Sequence, residues 1–250
     1  MQITPDFSPL GLALAAPLVA YLVIVESVYG KRSYERLRRT RDHDPRALTR
    51  MFTRWIADSW ALTGVAAVIV LVSPGVRAAD VGLAPPDDMS AVLGMLTGLA
   101  LMVVITAVLF HLRARSGRAA PGQGAYAAML PRTRAERGAA LAMSVTAGVC
   151  EELVFRGLLI ALGVAAGLDL TTAAGAALAV FVLGHLYQGW KGMLAVAALG
   201  YLFTATYLAT GSLLVPIVAH ILIDVRGLVV MPAPARPVPS RPVDAVPQAG

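Results

Sequence analysis

Cys150-Glu151-Glu152-Leu153-Val154-Phe155-Arg156-Gly157 places two adjacent carboxylates and a guanidinium inside an apolar run that extends from about Gly138 to Leu168. A lipid environment disfavours ionisable groups, and those found in apolar spans usually face a bundle interior or a wet cavity and mark a functional site. On a helix, Glu152 and Arg156 stand at i and i+4 and can pair on one face. Glu151 is rotated by about 100° from Glu152. Arg156 can therefore keep Glu152 ionised while Glu151 is left for other work. The plainer alternative is a buried ion pair that only fixes helix register, with a spare glutamate reaching towards water.

Working outward, the 250-residue chain is 57% hydrophobic and 14% charged, with a mean hydropathy of +0.70. Soluble domains carry about 25% charged residues, so the composition predicts an all-α, polytopic membrane helix bundle. A net charge of +6 could suit nucleic acid, but the arginines cluster between apolar runs, the pattern of a membrane topology signal, and no nucleic-acid partner is expected. The single cysteine, Cys150, excludes an internal disulfide and any multi-cysteine metal site. Met1 to Ser8 has no basic residue ahead of the first apolar run, so that run is expected to be a retained anchor and not a cleaved signal.

Seven stretches approach the roughly 20 apolar residues that a spanning helix needs: 9–29, 55–72, 89–112, 138–168, 170–187, 192–210 and 213–231. Nine Lys or Arg fall between Lys31 and Arg54, and six between Arg113 and Arg137. The positive-inside rule places both stretches in the cytoplasm, with the N-terminus outside and, after seven spans, the C-terminus cytoplasmic. The chain divides into an N-terminal transmembrane region over 1–129, a core over 130–231, and a tail over 232–250. That tail has six prolines in nineteen residues and is expected to be disordered. The composition, rich in Ala and Arg, suggests a bacterial plasma membrane, with membrane lipids as the surrounding partner.

Two further polar sets interrupt apolar runs. Phe181 and His185 share one face at i and i+4, and His220 and Asp224 repeat the spacing in the last run. A lone histidine on an apolar helix is more often a satisfied core residue than a catalyst; three such sets on three helices favour convergence. Glu, His, His and Asp around one buried cavity suit the activation of water. A glutamate in a low-dielectric pocket can act as general base. One neutral histidine can share the water or ligate a metal. A second histidine presenting an N–H can hold charge developing on a carbonyl oxygen. Hydrolysis of an amide in or near the bilayer is the expected chemistry.

The ordered set Glu151-Glu152-x-x-x-Arg156, Phe181-x-x-x-His185 and His220-x-x-x-Asp224 resembles the CPBP family, also called Abi. That family comprises type II CAAX prenyl endopeptidases and bacteriocin-processing or immunity membrane proteases. The lead-in Leu130-Pro131-Arg132-Thr133-Arg134 is similar too, and the resemblance covers about 130–231. It implies an intramembrane protease open towards the cytoplasmic side and acting on a peptide or membrane-protein substrate. Glu151 and His185 would activate water, Glu152 and Arg156 would support them, and His220 with residue 224 would bind the oxyanion. If a divalent metal such as zinc takes part, Glu151, His185 and His220 are its candidate ligands; a metal-independent glutamate mechanism is the other possibility. Family members that process prenylated substrates commonly have Asn where this chain has Asp224. An ionised Asp cannot donate to an oxyanion, so its expected alternative role is to orient His220 by accepting a ring N–H.

Other readings leave different marks. No His-Glu-x-x-His or Gly-x-Ser-x-Gly occurs, and Gly167-Leu168-Asp169 is a poor aspartyl-protease match. A proton-coupled transporter could also use intramembrane Glu and His, but the paired repeats typical of carriers are not visible. A catalytically silent scaffold or bacteriocin-immunity protein on the same fold is the remaining alternative.

Overall fold

The computed structural model describes residues 1–86, 88–115 and 123–230, so the proline-rich tail lies outside the described residues. The described chain is all-helical apart from turns and one isolated bridge between Asp6 and Gly75. Its long rods are α1 (Pro9–Thr40), α2 (Ala47–Leu71), α3 (Met89–Arg115), α4 (134–165), α5 (Leu170–Gly184), α6 (Gly189–Thr210) and α7 (214–230). Among the described residues, four helices are long and apolar enough to cross a membrane: Pro9–Thr40, Ala47–Leu71, Val92–Arg113 and Leu186–Thr210. Leu170–Gly184 is apolar but shorter. Large apolar side chains stand on the outside of the bundle, Ile24 at 65%, Leu71 at 79% and Leu194 at 62% exposure. Apolar surface on this scale needs lipid against it, and the chain is a multi-pass membrane protein.

The first basic stretch differs from a simple loop. α1 continues unbroken to Thr40 because Ser27, Gly30, Tyr34 and Leu37 recur every three or four residues and bury one face, leaving the arginines outside. α2 likewise starts at Ala47, well before Trp55. α4 starts at Arg134, where the Thr133 hydroxyl accepts from the Glu136 amide and the Glu136 carboxylate accepts from the Thr133 amide, a reciprocal capping box. α5 is capped by Asp169, which accepts from the Thr171 and Thr172 amides.

α4 is the central rod, packed on α2, α5 and α7. Helix association in lipid relies on close van der Waals packing, which small residues permit. Gly148 is such a point. A Cβ built there would fall on the Ile221 side chain and lie 2.9 Å from the Ile221 backbone nitrogen, so only glycine lets α7 approach α4 here.

Buried apolar side chains form two clusters along the bundle. One joins Leu18 and Leu22 of α1, Ala66 and Ile69 of α2, Val154 to Ala161 of α4 and Ala173 to Phe181 of α5. The other joins Tyr34 and Leu37, Leu48 and Phe52, and Ala140 to Ala147, at the basic end. Between the clusters the chain places Glu26 on α1, Asp58 on α2, and Glu151 and Glu152 on α4. These positions form a polar layer between two apolar ones.

Candidate active site

The polar layer opens into a cavity of about 550 Å3, with Glu151, His185, His220 and Asp224 in its wall. Glu151 immediately precedes the wide turn Glu152–Leu159, where α4 runs as a π-helix, a distortion often found at functional sites. Glu152 is not part of the cavity wall and is fully buried. Its Oε1 accepts from Arg156 Nη1 at 3.0 Å and from His220 Nδ1 at 2.8 Å. The carboxylate that orients His220 is thus Glu152, 68 residues away in sequence. Asp224 Oδ2 lies 3.8 Å from the other ring nitrogen, Nε2, and does not take the orienting role expected for it.

Arg156 is held from all sides. Its Nη2 donates to the Gly200 carbonyl at 3.2 Å. Its guanidinium lies 4.1 Å from the Phe181 ring centre and 5.7 Å from that of Phe203, cation–π contacts that favour the charge in a dry setting. Phe203 then stacks on His220, with ring centres 5.1 Å apart and planes 27° apart. Phe181 meets the His185 ring at 4.7 Å. Phe181 therefore touches both the guanidinium and an imidazole, which keeps these groups in register.

His185 comes directly after the last residue of α5, because the helix ends at Gly184 and not at Tyr187. Its Nδ1 lies 2.9 Å from the Phe181 carbonyl oxygen. A carbonyl only accepts, so Nδ1 carries the hydrogen and, in the neutral ring, Nε2 presents a bare lone pair. Glu151 offers the matching feature: its Oε2 is enclosed, has no hydrogen-bond partner among the described residues, and lies 3.9 Å from His220 Nε2. Such a gap is wide for a direct hydrogen bond and suits an intervening water or substrate atom.

The donors named for a metal are only partly gathered. Among the described residues no group of three His, Cys, Asp or Glu is placed to hold a metal ion. His220 gives its Nδ1–H to Glu152, as metal-ligating histidines commonly do with a carboxylate, and its other nitrogen stands 3.8–3.9 Å from the nearest cavity carboxylates. Two donors that each stand about 2.0–2.2 Å from one zinc are themselves roughly 3.4 Å or more apart, so His220 and one carboxylate have the spacing of two ligands, and what is missing among the described residues is a third donor grouped with them.

The three polar sets therefore meet at one place, in chain order, on α4, at the end of α5 and on α7. Residues 134–226 match the Rce1-like family model. Its description is type II CAAX prenyl endopeptidase Rce1-like. The Rce1-like segment holds the quartet in the cavity wall together with Glu152, Arg156, Phe181 and Phe203. Neither the curated proteins nor the solved structures give a match. Four contributors escape motif reading. Phe203 and Gly200, on α6, sit in an apolar run that carries no mark of their role. Glu26 and Asp58 line the cavity from α1 and α2, outside the Rce1-like segment. Glu26 had a readable signal, a carboxylate within the first apolar run.

Proposed function

We propose that the chain is an intramembrane endopeptidase of the CAAX-protease type, hydrolysing a peptide bond of a membrane-anchored peptide or protein. The reading rests above all on one observation. The free Oε2 of Glu151 and the bare Nε2 of His185 border the same cavity as a histidine already oriented by a buried Glu–Arg pair.

In this reading a water sits between Glu151 and His185 and attacks the scissile carbonyl carbon as Glu151 takes its proton. The carbonyl oxygen becomes an oxyanion and accepts from Nε2–H of His220 in its doubly protonated form, whose Nδ1–H stays bonded to Glu152. Collapse of the tetrahedral intermediate breaks the C–N bond, and Glu151 passes its proton to the leaving amine. Glu152 and Arg156 act through His220 and do not touch the substrate. Asp224 borders Nε2 as a counter-charge. No step is routed through a metal.

The same reading extends to topology. α5 and α7 cross the bilayer with the four longer helices and α4, giving seven spans, the N-terminus outside and both basic stretches in the cytoplasm. Tyr126, Met129 and Gln188 line the cavity next to the basic end of the bundle, which supports a site opening towards the cytoplasm. The expected setting is a bacterial plasma membrane.

Purified protein in liposomes, presented with a pool of lipid-anchored fluorogenic peptides, is expected to cleave a membrane-proximal bond. Glu151→Gln or His185→Ala should lower turnover by about 10²–10⁴-fold, the range of general base catalysis, with the helical circular dichroism unchanged. Equal turnover by both variants and the parent would overturn the assignment. Stoichiometric zinc in the purified protein, with turnover lost on chelation, would overturn the side-chain mechanism.

A further inference from the structure

We infer that Glu26, with Asp58 behind it, forms a subsite that takes a positively charged side chain of the substrate. The inference rests on the protease reading and names the substrate class.

Glu26 lies within α1 among residues that face outward: Val23, Ile24, Val25 and Val28 are all exposed on the apolar surface. A carboxylate in such a run is costly unless it faces a cavity or a partner. The turn Tyr21–Glu26 is a π-turn, and the one extra residue in a π-turn rotates the later part of the helix relative to the earlier part. Glu26 lines the cavity that Glu151 also lines. Its Oε2 is enclosed by protein and has no hydrogen-bond partner among the described residues. Asp58 enters from α2, with the Tyr29 hydroxyl directed to its carboxylate. Both acids therefore stand on the wall built by α1 and α2, while the water-activating pair stands on the Rce1-like segment.

The cationic groups of the cavity do not answer this wall. His220 is held by Glu152, and Arg156 by Glu152 and the Gly200 carbonyl. Lys191 is exposed, with its ammonium 5.4 Å from the centre of its neighbour Trp190's ring. Arg226, also in the cavity wall, interacts electrostatically with Tyr126. An unanswered carboxylate beside a second acid and the rings of Tyr21 and Tyr29 has the chemistry that recognises an ammonium or guanidinium, by charge and by cation–π contact. A peptide bond held at Glu151 and His185 would place a neighbouring side chain against this wall.

The probes are dansylated, myristoylated tetrapeptide amides carrying Lys, norleucine or Glu at each position in turn. Their binding is measured to the Glu151→Gln protein in phosphatidylcholine liposomes, so that turnover does not intervene. Lys is expected to bind about tenfold tighter than norleucine at one position, the scale of a single partly desolvated charge pair. Glu26→Gln, nearly isosteric, should bring Lys and norleucine to within about twofold, and Glu26→Lys should favour the Glu peptide. Lys binding no tighter than norleucine at every position overturns the subsite, and that comparison needs no Glu26 variant. A Lys preference that survives Glu26→Gln overturns it too. Cleavage by the parent is measured separately. Lys preference without any cleavage sinks the protease reading and leaves the subsite; cleavage without Lys preference sinks the subsite alone.

Discussion

Among the described residues stand two buried arginine–glutamate pairs, and they are finished differently. At the basic end, Arg41 grips Glu136 with both nitrogens, at 2.7 and 2.9 Å, and also donates to the Ala128 and Leu130 carbonyls. Glu136 takes further bonds from the Arg132 and Thr133 amides. Every strong valence of that carboxylate is used, and nothing there faces a cavity. In the polar layer, Arg156 reaches Glu152 through one nitrogen, the carboxylate spends its remaining bond on His220, and its Oε2 has no partner among the described residues. A saturated pair joins helices. On the proposed reading, the incompletely satisfied pair holds a reactive histidine against the cavity, and this difference in finish distinguishes the two pairs where charge and burial do not.

The largest expected effect breaks the second pair. Glu152→Ala leaves Arg156 buried without its counter-charge and frees His220 from its acceptor. Turnover should fall by about 10²-fold or more, the loss seen when an oxyanion donor is misplaced. Stability should fall by about 3–5 kcal/mol, as when one partner of a buried pair is removed. Activity normalised to folded protein, read beside thermal unfolding in detergent, separates the two losses. Glu152→Gln, which keeps an acceptor for His220, should recover part of the turnover. Full turnover in Glu152→Ala would mean that His220 needs no orientation, and the comparison would collapse.

Breaking the first pair sharpens it. Arg41→Ala should cost a similar 3–5 kcal/mol, roughly the loss for one partner of a buried pair, because Glu136 would be buried without its ion partner. Turnover per folded molecule should stay within about twofold, since the cavity loses no lining group. A loss as deep as that of Glu152→Ala would tie the clamp to the chemistry. Smaller still is the effect of Gly148→Ala. One methyl group forced against Ile221 should cost about 1–3 kcal/mol, and in moving α7 it also moves His220, one residue before Ile221 in sequence. Reduced turnover with unchanged peptide binding is the expected signature.

Sequence made the second pair visible and hid its purpose. Glu152 and Arg156 are four residues apart on one helix, so helical geometry alone brings them together. The same holds for Phe181 with His185 and for His220 with Asp224, where i,i+4 spacing put each ring beside its neighbour before any fold was known. The Glu152–His220 bond spans 68 residues, and no periodicity encodes which of three candidate acids a distant histidine meets. Asp224, close in sequence, was the natural choice; the π-turn at Glu152–Leu159 and the glycine contact at Ile221 decide otherwise. The Arg41–Glu136 clamp is hidden for a related reason, since its partners are 95 residues apart and Arg41 is one of nine basic residues in its stretch. The amphipathic face of Ser27, Gly30, Tyr34 and Leu37 is written in that stretch, interleaved with the positive charges that give it the look of a loop.

The smallest expected effect concerns pH and again turns on the saturated pair. Burial alone would raise the Glu136 carboxyl. The hydrogen bond from Arg41, those from the Arg132 and Thr133 amides and the Arg41 charge outweigh it and hold the group below the ordinary carboxylate range. In the unfolded chain a glutamate titrates near its free value of about 4.3. A group depressed in the folded state binds fewer protons there than in the unfolded state, so stability rises with pH across the window between the two values. Its contribution is therefore complete above about pH 5 and declines as the pH falls through the unfolded value towards the folded one. Unfolding of the parent and of Glu136→Gln in detergent, measured from about pH 7 down to about pH 3.5, should show a gap that is constant above about pH 5 and narrows below it. The variant retains the other acid-sensitive groups, so the narrowing isolates Glu136. A gap that holds steady to the acid end of that range would mean that Arg41 gains nothing from the charge of its partner, and the clamp would then be a matter of hydrogen bonds alone.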